Sequence, residues 1–134
     1  MKTFIKIGIS VLTGFILQTT VVSAHHAVQA QFDVQQVVTF SGVMTQVELI
    51  NPHPYFHIDV ETDDGQTENW AIESVALNAL RRAGLLKELA VGREYTVEVH
   101  PARNGENVAL MVAITLPNGN RLLMRSVDPA LATE

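Results

Sequence analysis

The chain has no cysteine among its 134 residues. This excludes a disulfide framework, a thiolate metal site, a cysteine nucleophile and a lipid-attachment cysteine, and leaves the fold to be held by its core alone. Aromatic residues make up 6%, with a single tryptophan, Trp70. Basic residues are also few, nine Lys+Arg against fourteen Asp+Glu. Such a balance disfavours nucleic acid or an anionic membrane as partner, because both need cationic surface. It suits a cation, a basic protein or a neutral small molecule. No Gly-x-Ser-x-Gly, phosphate loop, His-Glu-x-x-His or dinucleotide fingerprint occurs. Asp63-Asp64 is a carboxylate pair, but adjacent acids in a turn are solvated and poorly suited to acid–base work. The sequence gives little reason to expect an enzyme.

What is present starts with "MKTFIKIGISVLTGFILQTTVVSAHHAVQAQ". Lys2 and Lys6 form a positive n-region, Ile7 to Leu17 an apolar run, and Val22-Ser23-Ala24 a small-residue cleavage site. This is the layout of a secretory signal peptide. The apolar run is shorter than the roughly 20 residues a spanning helix needs, so no stable membrane insertion is expected after cleavage. A second small-residue site ends at Ala30, but it lies further from the apolar run, and cleavage after Ala24 is favoured. The mature chain then starts at His25 and is expected in the periplasm or outside the cell.

Residues 25–35 are polar and without period, which predicts an N-terminal arm. Strand signals begin after it: "VVTFSGVMTQVELI" (37–50) with Gly42 as a bulge or bend, the alternating "PYFHIDVET" and then "QTENWAIES", joined by a hairpin turn at Asp63-Asp64-Gly65. "SVALNALRRAGLL" (74–86) predicts a short helix capped by Ser74 and closed by Gly84. "REYTVEVHPA", "ENVALMVAITL" and a short "NRLLMRSV" complete the strands. The fold class expected is mainly β, a small OB-like barrel of five to six strands with one short helix between the third and fourth strands. The expected division is a leader over 1–24, an arm over 25–35, the OB-like domain over 36–127 and a tail over 128–134.

Four histidines carry the chemistry. Cleavage after Ala24 would give His25 a free α-amine beside its own imidazole. That amine has an ordinary pKa of about 7.7–8, so a metal can displace its proton near neutral pH. A third nitrogen from another ring would complete the T-shaped set used for copper, and imidazole also suits zinc. His26 offers a second imidazole. His53 and His57 flank Tyr55 behind Asn51-Pro52, and on an extended chain all three share a face. Asp59 can orient His57 from behind. His100, before Pro101, is expected to make a local hydrogen bond. The expected metal ligands are His25, His26, His53 and His57. They can converge only if the arm runs back along the first strand or that strand bends sharply at Gly42. Asn51, Tyr55 and Trp70 are the alternative: one wall of a site for a small molecule or a partner protein of the same compartment.

The stretches His25-His26, "QFDVQQVVTFSGVMTQVELINPHPYFHIDV", "NWAIE", "LRRAGL", "VGREYTVEV" and "NGENVALMVAITLPNGNRL" resemble an uncharacterised family of small exported bacterial proteins, of the domain-of-unknown-function 6152 type. The resemblance covers nearly the whole mature chain and implies an exported, single-domain, mainly-β protein without an assigned activity. Its pattern falls on His25, His26, Asn51, Pro52, His53 and Trp70. Ala27-Val28 stand where Ser-Phe is common, and His57 stands where an aromatic residue is more usual, which puts His53 ahead of His57 as a ligand.

Overall fold

The computed structural model describes residues 27–128. The chain divides between Gln31 and Phe32 into two compact units; of the first, residues 27–31 are described and are helical. The second unit is the β domain. Its elements are β1 (Val38–Glu48), β2 (Tyr55–Glu61), β3 (Thr67–Glu73), α1 (Leu77–Arg82), a 3-10 turn (Leu85–Lys87), β4 (Glu94–Pro101), β5 (Val108–Thr115), β6 (Arg121–Leu123) and α2 (Met124–Val127). The sheet order is β3-β2-β1-β4-β5-β6, and a parallel pairing of β3 with β5 closes β1 to β5 into a barrel. The expected OB-like barrel with a helix between the third and fourth strands is the observed fold.

Closure depends on β1 serving two neighbours. Its first half, Val38 to Val43, pairs with β4, and its second half, Val43 to Glu48, pairs with β2. The strand turns the corner at Gly42, where a Cβ would run into the carbonyl oxygen of Asp59 and the Ile58 side chain. Glycine is needed there for close backbone approach. The register slip lies two residues further on: Met44 faces Ile58 and Gln46 faces His57, so Thr45 is the extra residue of a bulge. The bulge reverses the phase of the strand. Met44 is buried, whereas Gln46 and Glu48 come out on the same side as His57 and Tyr55.

Phe56, Ile58, Ile72, Val97, Val99 and Ala109 fill the barrel from alternate strand positions, and Leu80 and Leu85 close one end. The helix is shorter than 74–86. Ser74 does not cap it; Ser74 is buried with its hydroxyl against the Met124 sulfur, and Ala76 takes the cap position without a side-chain bond. The Leu77 N–H donates instead to the carbonyl of Pro52, which satisfies one of the donors a helix start leaves open. Gly84 ends the helix in the left-handed region, as its position predicts. The barrel also begins earlier than residue 36: Phe32 is fully buried and bridges to Ala102. Past β6 the chain turns into α2 rather than continuing as strand, and this puts Met124 into the core.

Candidate functional site

The hairpin at Asp63-Asp64-Gly65 sets the register of the site. Thr62 N–H donates to Gln66 O, and Gly65 takes a positive φ of 79°, so a three-residue loop centres on Asp64. Counting outward from it puts Tyr55 opposite Glu73, His57 opposite Ala71 and Asp59 opposite Asn69. These residues face out of the barrel, while Phe56, Ile58 and Ile72 between them face in.

His53 precedes this pair of strands in the loop Asn51-Pro52-His53-Pro54, whose Asn51–Pro52 bond is cis. Two backbone bonds fasten the loop to the β3–α1 connection: Ser74 N–H to Pro54 O and Leu77 N–H to Pro52 O. The result is that His53 Nδ1 lies 2.6 Å from Glu73 Oε1. The second carboxylate oxygen accepts from the Tyr55 hydroxyl at 2.9 Å. Burial pushes the Tyr55 pKa up to about 12, helped by the hydrogen bond to Glu73 and the negative charges of Glu73 and Glu48. Glu73 is mostly covered, with 16% of its side chain exposed, and His53 is open at 44%.

His57 is held differently. Its Nε2 lies 2.9 Å from Glu48 Oε1 on β1, and its Nδ1 lies 3.4 Å from Asn69 Oδ1 on β3. Asn69 is oriented by its own amide, which donates to Asp59 Oδ1 at 2.6 Å and to Thr45 Oγ1. Gln46 donates to the same Glu48 oxygen at 2.8 Å. Both nitrogens of His57 therefore face protein acceptors, and the ring links three strands. Among the described residues, His53 has only Nδ1 engaged. The two rings lean on different carboxylates, one from β3 and one from β1.

The remaining expected site residues are dispersed. His25 and His26 lie outside the described residues. Asn51 is exposed in the loop. Trp70 pairs across from Ile58 and turns inward, packed on Phe40 with ring centroids 5.0 Å apart, so it shares no face with Tyr55. His100 donates from Nδ1 to the Gln36 carbonyl at 2.7 Å, a bond to a residue far away in the chain rather than the local one expected. Among the described residues no group of three or more His, Asp or Glu side chains is placed to hold a metal ion. Glu73 and Glu48 are the residues sequence reasoning missed. The hairpin centre at Asp64 was enough to find Glu73 by counting; Glu48 depends on the bulge at Thr45, which has no sequence signal of its own.

Comparison with known proteins bears on the fold and the family. A model described as "Family of unknown function (DUF6152)" matches residues 15–111. No curated protein sequence matches. Among solved structures, a crystal structure of Rim1, a mitochondrial single-stranded DNA binding protein from S. cerevisiae, is similar with a TM-score of 0.50 and 17% identity, covering 61% of this chain and 93% of that one. A selenomethionine-labelled crystal of the same protein gives 0.48 and 16%, with 63% and 96% covered. At this identity the likeness is one of fold. It nevertheless corrects the exclusion of nucleic acid as a partner. A barrel of this kind serves a protein that binds single-stranded DNA, and a net charge averages the whole surface without locating the charge on any one groove.

Proposed function

The chain belongs to the family of unknown function DUF6152, which has no activity to pass on, and we propose that it is an exported metal-binding protein. It takes copper or zinc, with His53 and the histidines of its expected mature terminus, His25 and His26, as ligands. The observation that supports this most is the His53–Glu73 hydrogen bond at 2.6 Å. A ligating histidine usually gives its other ring N–H to a carboxylate, which fixes the ring and raises its basicity. His53 has that support already, and among the described residues its Nε2 has no protein partner. His57, engaged at both nitrogens, acts as a strand link and not as a ligand. The alternative, a small molecule or partner protein gripped jointly by Tyr55 and Trp70, has less support, because the two rings lie on opposite faces of β2 and β3.

The test uses untagged, exported protein whose start at His25 is checked by intact mass. Titration with Cu(II), followed by calorimetry, should saturate at one ion per chain. His53→Ala, or an extra residue before His25, should weaken binding. A labelled single-stranded oligonucleotide is titrated in parallel at low salt. A saturable anisotropy change with it, and none with metal, would replace the metal reading by single-strand binding.

A further inference from the structure

Each carboxylate around His53 and His57 receives at least one donor, and Glu73 receives one on each oxygen. Glu73 receives His53 Nδ1 on one oxygen and the Tyr55 hydroxyl on the other. Glu48 receives Gln46 and His57. Asp59 receives Asn69. We infer that Glu73, pinned by Tyr55, is a positioning residue: it commits His53 to the tautomer with its proton on Nδ1, makes Nε2 the coordinating atom, and restricts the site to nitrogen-seeking ions such as Cu(II) and Zn(II), against Ca2+ and Mg2+. This inference rests on the metal-binding reading and names the ion class and the ligand atom of that same site.

The tautomer follows from proton accounting. An ionised carboxylate only accepts, so a neutral imidazole bonded to it through Nδ1 must carry its proton there. The lone pair is then on Nε2, directed away from Glu73. The carboxylate sits at the far nitrogen of the ring and cannot ligate the ion that Nε2 holds. Tyr55 prevents Glu73 from swinging round: its hydroxyl donates to the second carboxylate oxygen at 2.9 Å. Calcium takes six to eight oxygens, and magnesium demands close to ideal octahedral oxygen geometry. The atom offered at His53 is a nitrogen, and the carboxylate beside it, Glu73, already holds a donor on each oxygen, so the site supplies neither.

Glu73→Gln separates these roles. The single amide oxygen of the variant is claimed by the Tyr55 hydroxyl, which turns the amide N–H toward Nδ1 and moves the His53 proton to Nε2. Long-range proton–nitrogen NMR on the metal-free mature protein, at a pH above the ordinary histidine range, should show His53 unprotonated at Nε2 in the wild type and protonated there in Glu73→Gln. Zn(II) and Cu(II) affinity should fall by about ten- to a hundredfold in the variant. Tyr55→Phe, which keeps the ring, should give a smaller loss in the same direction. Millimolar Ca2+ or Mg2+ should leave wild-type affinity unchanged. A wild-type ring protonated at Nε2, wild-type affinity in Glu73→Gln, or competition by either alkaline-earth ion overturns the inference. If the wild type shows the expected tautomer but binds neither Cu(II) nor Zn(II), the metal reading falls with its ion class, and the positioning of His53 by Glu73 stands on the spectrum.

Discussion

Tyr55 and Trp70 stand on opposite faces of the same two strands. Tyr55 lies across from Glu73 and points out; Trp70 lies across from Ile58 and packs inward on Phe40, its Nε1 donating to Glu68 at 3.2 Å. The outer face is therefore polar and hydrogen-bonded, and the inner one packs against the core.

Trp70→Ala should cost stability and spare binding. Removing a large, partly buried aromatic costs about 3 kcal/mol, the lower end of the range for full core sites. Urea unfolding should show the loss, while metal titration should match the wild type.

Gly42→Ala introduces a methyl group against the Asp59 carbonyl and the Ile58 side chain. Backbone cannot yield as a flexible side-chain end can, so the destabilisation should reach roughly 3 kcal/mol, the upper part of the overpacking range. The denaturation midpoint checks it. A midpoint within error of the wild type would mean that β1 does not press on β2 at this corner.

His57→Ala should behave as the loss of a strand link. With 20% of His57 and 36% of Glu48 side chains exposed, solvent screens part of the interaction, and about 1 kcal/mol is expected. Metal affinity should stay at the wild-type value, whereas His53→Ala should lower affinity with little change in the unfolding midpoint.

Stability should fall in alkali through Tyr55. Its folded pKa of about 12 lies above the ordinary value of 10.0, so between those values the folded state holds a proton that the unfolded state has lost. The contribution is complete below about pH 10 and drains away as pH rises toward 12. Tyr55→Phe should flatten that part of the stability curve relative to wild type, measured by unfolding at a series of alkaline pH values.

Much of the barrel was legible because period-2 alternation and turn chemistry act locally. The Asp-Asp-Gly hairpin, Gly84 at the helix end and the strands around Tyr55, Tyr95 and Val108 all follow from neighbours in the chain. The bulge at Thr45, the buried place of Ser74 and the inclusion of Phe32 were not legible, since each is decided by a distant partner: β2 for Thr45, Met124 for Ser74 and Ala102 for Phe32. His53 was found, but the reason to prefer it over His57 came only with the carboxylates, which two strand pairings and a register slip bring to the rings.

The parallel pairing that closes the barrel joins Ala71, Ile72 and Glu73 to Val108, Ala109 and Leu110. The residue that steadies His53 is thus itself part of the seam. Parting β3 from β5 would loosen Glu73 and slacken the histidine loop with it. Whatever grips that imidazole in the native state works as a clasp on the cylinder, so occupancy and resistance to opening should rise together.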